Sequence, residues 1–255
     1  MPFDCVVLST NDDPRYFQCV PIVIKAWRKW FPKVEILLAY TGKEEMLPYL
    51  NQFAPVSYYK PLDGVPTGNW AKVIRYLLAS KQGSKVCLVH DIDSIPLQSE
   101  YYINLIAPRA AGYLACVGWE VYAMTEHHGK FPAGCMCAEG AVFAEIFNGD
   151  GRVGNIFDHK EALDSKEFSD ESMVRALLAQ WKQPRMQFIP RAFCPQKDCI
   201  DRSWWDIDTE KLHSGKYVEC NIMRPPALHW EYVKPVAEYI WGGFVPLEEA
   251  LLFDI

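Results

Sequence analysis

The feature that most constrains this chain is an apolar run ending in two carboxylates, Val86-Cys87-Leu88-Val89-His90-Asp91-Ile92-Asp93-Ser94-Ile95-Pro96. A run of this length and β-branched content reads as a buried strand. Carried on in extended form, it points Asp91 and Asp93 the same way and turns Ile92 to the other face. Ligands of α/β sheets bind at the C-terminal ends of strands, and two carboxylates left unpaired there are costly. A hard divalent cation, manganese or magnesium, satisfies them by taking oxygen ligands from carboxylates and substrate phosphates. Capping of the next turn, or pairing with Arg and Lys, is the alternative way to satisfy them, and Pro96 marks the end of the strand.

The segments before this run alternate between strand and helix. Phe3 to Ser9 reads as a buried strand that breaks at Thr10-Asn11-Asp12-Asp13-Pro14. Val20, Val23, Ile24, Trp27 and Trp30 then recur at helical spacing before Pro32, and Val34 to Ala39 is a second strand. A helix between two strands implies a parallel pair and a doubly wound sheet. Glu44 to Phe53 reads as a weaker helix, Val56 to Tyr59 as a short strand, and Asn69 to Ser80 as an amphipathic helix running into the Asp-x-Asp strand. Lys72 and Arg75, three apart on that helix, face either one ligand or solvent.

Beyond Pro96 the pattern is less regular. Gly112 to Val117 reads as a strand, and Trp119 to Cys137, which carries His127 and His128, as a loop-rich lip over the sheet. Glu139 to Asn148 reads as helical or as strand then helix, followed by a turn at Gly149-Asp150-Gly151. Ser169 opens a helix as its N-cap, with Asp170 and Glu171 in the first turn. Those two acids are explained by the helix dipole, or one of them serves as a general base. Gln187 to Pro190 is a short strand, and the aromatic-rich tail at 229 to 246 is expected to dock over the sheet.

Composition narrows the class. With 255 residues, 50% hydrophobic and 23% charged, the chain has the balance of a globular protein with a substantial core. A net charge of -6 argues against a nucleic-acid binder. The N-terminus carries no basic and apolar leader pattern and no stretch reaches bilayer length, so a cytoplasmic protein without a transmembrane segment is expected. Cysteine usage agrees, since Cys5, Cys87 and Cys116 lie in apolar runs where a reduced thiol acts as a small hydrophobe. Cys135-Met136-Cys137 and Cys194 to Cys199 lack zinc-finger spacing.

The order of these parts resembles the nucleotide-sugar glycosyltransferases of the GT-A fold. The shared features are an N-terminal β-α-β, a helix bearing Lys72, an apolar strand ending in Asp91-Ile92-Asp93, an acidic helix start and a late His. The resemblance implies one α/β domain over 1-255 with a mostly parallel central sheet and helices on both faces. About 1-100 would bind the nucleotide sugar and about 101-255 the acceptor. It further implies Asp93 as primary ligand of a manganese or magnesium ion with Asp91 as its partner, and His229 completing the metal site. Ser9, Thr10 and Asn11 would form the nucleoside-binding turn, with Lys72 and Arg75 toward the donor. His229-x4-Lys234-Pro235 is similar to the His-x2-Gly-x2-Lys-Pro segment of the glycogenin-like branch, one residue shorter and without its Gly, which places Lys234 with the donor. For an inverting enzyme the base would be Asp170 or Glu171. Trp119, Trp204, Trp205 and Trp230 offer faces for an acceptor sugar.

The expected activity is hexose transfer from a nucleotide sugar, such as a UDP-sugar, to a carbohydrate or glycan acceptor. Two alternatives share the pattern. HAD-like phosphatases also use a strand ending in Asp-x-Asp, but on their first strand and followed by Thr or Val, whereas Ser94 and Ile95 follow here. A nucleotide-sugar-binding protein without turnover would keep the fold and lose the acids.

Overall fold

A computed structural model describes residues 3–106, 112–118, 130–148, 169–181, 185–189 and 198–251, without the side chains of Leu105 and Trp204. Trp119, His127, His128 and the Gly149-Asp150-Gly151 turn lie outside these residues.

Among the described residues, seven strands pair into one large sheet and three into a second, smaller one. β1 (Cys5–Thr10), β2 (Glu35–Tyr40), β3 (Val56–Tyr58) and β4 (Val86–His90) are parallel neighbours in the order β3-β2-β1-β4. β5 (Ser94–Pro96) leaves this sheet for a smaller one. β6 (Leu114–Val117), β7 (Cys135–Glu139) and β8 (Met186–Ile189) complete the large sheet, with β7 antiparallel between β4 and β6. β9 (Cys199–Asp201) and β10 (Glu219–Asn221) complete the small sheet in the order β5-β10-β9.

The central strands β1, β2 and β4 are buried along almost all of their length because helices cover both faces. On one face, helix Val20–Trp30 buries Val20, Val23, Ile24 and Trp27 in a core shared with Leu8, Leu38 and Leu88. On the other, helix Thr67–Ser80 buries Trp70, Val73, Ile74 and Leu77 against Val7, Ala39 and Val89. The mostly parallel doubly wound sheet expected from the sequence is therefore the observed one. The tail helix Trp230–Trp241 docks on helix Val20–Trp30, with Tyr239 6.1 Å from Trp30 between ring centroids, one layer further from the sheet than expected.

Three local readings are corrected. Glu44 to Phe53 is a 3₁₀ turn, Glu44–Met46, followed by one helical turn, Leu47–Leu50. The end of the loop-rich lip, Cys135 onward, is a central strand, whose Cys, Met and Ala content gave no β signal. Asp91-Ile92-Asp93 does not continue β4: it is the turn between the two sheets, with Ser94 N–H donating to Asp91 O at 3.3 Å. Its two carboxylates therefore do not form a same-face pair. Asp91 has 42% of its side chain exposed and Asp93 only 7%. Cys5, Cys87 and Cys116 are free and buried as expected, whereas Cys199 is disulfide-bonded, a departure from reduced usage.

Candidate functional site

The strand order fixes where the site forms. The connections from β1 run outward through β2 and β3, and β4 is added on the other side of β1, so the order reverses between β1 and β4. A crevice opens at the C-terminal ends of strands flanking such a reversal. Ser9, Thr10 and Asn11 end β1 there, and Asp91 and Asp93 follow β4.

β7 brings in a further segment. Because it runs antiparallel to β4, with Cys135 opposite His90, the residues just before it arrive at the same end of the sheet. Gly134 O accepts the Asp91 N–H at 3.0 Å. A Cβ on Gly134 would sit 2.7 Å from Asp91 Oδ2, so only glycine permits this approach.

The small sheet supplies two cations. β9 and β10 are parallel, so their C-terminal ends lie side by side, and β5, antiparallel to β10, begins at that edge, just after Asp93. Arg202 follows β9 and Arg224 follows β10. Both reach Asp93 Oδ2, Arg202 Nη1 at 2.5 Å and Arg224 Nη1 at 2.9 Å. The Arg224 guanidinium also lies 4.7 Å from the centroid of the Tyr16 ring.

Arg75 cross-braces the opposite wall. It is 4% exposed on helix Thr67–Ser80, and it donates through Nη1 to Asp91 Oδ1 and through Nη2 to Asp170 Oδ2 at 2.8 Å and Ala133 O at 3.2 Å. Burial disfavours its charge, but Tyr76, Asp91 and Asp170 outweigh burial and hold the guanidinium well above the ordinary arginine range. Arg202 is raised likewise, its burial outweighed by Asp93. Both stay charged at any working pH.

One cavity of about 470 Å³ is lined by Ser9, Thr10, Asn11, Lys72, Arg75, Asp91, Asp93, Asp170 and Glu171, nine of the eleven candidate residues from the sequence. Asn11 donates through Nδ2 to Thr67 Oγ1 at 3.2 Å, while its buried Oδ1 has no hydrogen-bond partner among the described residues. The structure does not bring the other two candidates to the cavity. His229 ends a 3₁₀ turn and caps the tail helix, and Lys234 places Nζ 5.5 Å from the Phe244 ring. Trp205 and Trp230 pack against the core. Sequence reasoning missed Arg202, Arg224, Lys130 and Gly134, all in segments without periodicity.

The expected cation set is not assembled. Among the described residues no three His, Cys, Asp or Glu side chains group to hold a metal ion, so Asp91, Asp93 and His229 are not one set. Each aspartate of the motif has a guanidinium as its partner instead, the alternative open from the sequence. The residues present do not fit the expected metal site.

A second cavity of about 320 Å³ adjoins the first, and Asp91, Ala133, Gly134, Glu171 and Arg202 line both. Its far wall is polar, with Glu219, Asn221 and His90. Glu171 at the seam accepts from Ser169 Oγ at 3.2 Å and lies 3.9 Å from Lys130 Nζ. No helix among the described residues is long and apolar enough to cross a membrane.

No family model matches the chain, and no curated protein matches its sequence. Solved structures do. The galactosyltransferase LgtC, determined in complex with donor and acceptor sugar analogs, matches with a TM-score of 0.53 and 12% identity over 94% of this chain and 97% of that one. The glycosyltransferase GlyE of Streptococcus pneumoniae TIGR4 matches with a TM-score of 0.50 and 13% identity over 94% of this chain and 62% of that one. At such identities the likeness is one of fold: the chain has the fold of GT-A glycosyltransferases.

Proposed function

We propose that the protein transfers a hexose from a nucleotide sugar, a UDP-sugar in the first instance, to a carbohydrate acceptor. The observation that carries this reading is the convergence of β1, helix Thr67–Ser80, the Asp-x-Asp turn and the start of helix Asp170–Gln180 on one cavity. It lies where α/β sheets hold nucleotides, and a second polar cavity shares its seam. The likeness of fold to LgtC and GlyE supports it.

In this reading the nucleoside meets Ser9, Thr10 and Asn11, whose buried Oδ1 awaits a donor, and the diphosphate lies among the cations. The acceptor occupies the second cavity. Its hydroxyl oxygen bonds to the anomeric carbon, the bond from that carbon to the phosphate oxygen breaks, and its electron pair leaves with the nucleoside diphosphate. In an inverting reaction the hydroxyl proton passes to a carboxylate at the seam. Glu171 lines both cavities, whereas Asp170 holds Arg75. The phosphatase alternative needs its carboxylates at the end of the first strand, where Ser9 and Thr10 stand.

Release of nucleoside diphosphate from a panel of nucleotide sugars, with mono- and disaccharide acceptors, tests the reading. Turnover of one donor supports it. Binding without turnover in every pairing would favour a nucleotide-sugar-binding protein, and neither binding nor turnover would overturn both.

A further inference from the structure

We infer that Arg202 and Arg224, rather than a cation held by the Asp-x-Asp carboxylates, neutralise the diphosphate of the donor. The inference rests on the nucleotide-sugar reading and deepens it. Two guanidiniums converge on one oxygen, Asp93 Oδ2, at 2.5 and 2.9 Å. Asp91 and Asp201 also act on Arg202, and Asp13 on Arg224, yet the described cavity lining still sets five cations, Lys72, Arg75, Lys130, Arg202 and Arg224, against the four carboxylates Asp91, Asp93, Asp170 and Glu171.

The arrangement opposes a divalent ion and suits an anion. An ion bound to Asp93 would lie within a few ångströms of both guanidiniums, where like charges repel. Nor do the other donors gather: no third His, Cys, Asp or Glu joins Asp91 and Asp93 among the described residues. An arginine, by contrast, presents five N–H donors in a planar fork that matches phosphate oxygens. Arg202 uses Nη1 for Asp93 and, at 3.4 Å, for Ile222 O, and Arg224 uses Nη1 for Asp93. Both side chains line the cavity and stay partly exposed, 33% and 25%.

The chemistry follows from position. As the bond to the anomeric carbon breaks, negative charge grows on the departing phosphate oxygen, and fixed guanidiniums stabilise it without reorganising. Asp93 then acts as a positioning residue that aligns both arginines. The strand order makes this possible, since the parallel pair β9 and β10 delivers its two ends to the start of β5.

The test is calorimetric titration of the full chain with UDP, GDP, ADP, CDP and dTDP, each in EDTA and each with manganese. The expected result is that one nucleotide binds in EDTA, with an affinity that manganese changes less than about twofold. Arg202→Met and Arg224→Met are each expected to weaken that binding roughly tenfold or more, the loss of a charged hydrogen bond. Binding seen with manganese and abolished by EDTA would overturn the inference and leave the proposed function standing. Metal-independent binding unaffected by either substitution in folded variants would overturn it as well. Binding of no nucleotide under either condition would overturn both. The EDTA and manganese comparison on the unmodified chain decides the metal question even if a variant fails to fold.

Discussion

Arg202, 109 positions beyond Asp93 in the chain, places Nη1 2.5 Å from Asp93 Oδ2. The contact joins the turn after β4 to the end of β9, and so ties the large sheet to the small one across the cavity floor. Asp93 is 5% exposed, and replacing it with Ala leaves two guanidiniums without their shared partner. Those arginines are partly exposed and can be rehydrated, so the expected cost in stability is modest, about 1–3 kcal/mol. Transfer is expected to fall at least a hundredfold as both arginines lose alignment. Circular dichroism and nucleoside diphosphate release together check this, and a folded Asp93→Ala enzyme with near-normal turnover would contradict the role assigned to Asp93.

Asp170 and Glu171 are adjacent in sequence yet differently employed. Asp170 is a partner of the buried Arg75, while Glu171 stands at the seam between the cavities. Glu171→Gln keeps shape and hydrogen bonding but cannot take a proton. If the reaction inverts, its turnover is expected to drop by two to four orders of magnitude with donor affinity unchanged, the usual reach of general-base catalysis. Asp170→Asn is expected to lower stability more than turnover. Mild kinetic effects in both variants would point to a retaining reaction.

A Cβ at Gly134 would meet the Asp91 carboxylate, so a larger residue there displaces that side chain. The backbone there is pinned by the bond from Asp91 N–H to Gly134 O, so in Gly134→Ala the Asp91 side chain has to swing away. Doing so breaks its pair with Arg75. The expected outcome is a loss of about 1–3 kcal/mol from overpacking, with nucleotide binding weakened several-fold. A variant with unchanged melting and binding would show that the close approach is not needed.

The sheet was legible where strands are long and buried on both faces. Val6 to Leu8, Ile36 to Ala39 and Cys87 to Val89 are unbroken apolar runs, and helices with an apolar stripe separate them. These runs imply a doubly wound parallel sheet, while the reversal between β1 and β4 that brings Ser9, Asn11, Asp91 and Asp93 to one crevice is seen in the structure. β7 was not legible, because Cys135-Met136-Cys137-Ala138 has no strand-forming bias. Nor were Arg202 and Arg224, since β9 and β10 are three residues each and their pairing with Asp93 is a long-range event that no local pattern encodes. The metal reading of Asp91 and Asp93 assumed that the strand continued through them. The chain turns there instead and meets arginines.

Arg75 carries the largest expected effect on stability. Its guanidinium is almost wholly buried between Asp91, Asp170 and the Ala133 carbonyl, and Asp170 is itself 13% exposed. Replacing a well-packed buried ion pair by apolar groups is often neutral, but removing one partner strands the other. Arg75→Met is therefore expected to cost about 3–5 kcal/mol, seen as a lower urea midpoint at unchanged slope. The double variant Arg75→Met with Asp170→Leu removes the stranded charge, so its loss is expected to be smaller than the sum of the single losses by at least about 1 kcal/mol. Asp91, more exposed, regains water and needs no such compensation. Additive losses in this cycle would mean that Arg75 stabilises the fold by packing its aliphatic stem, and that the bond to Asp170 contributes nothing net.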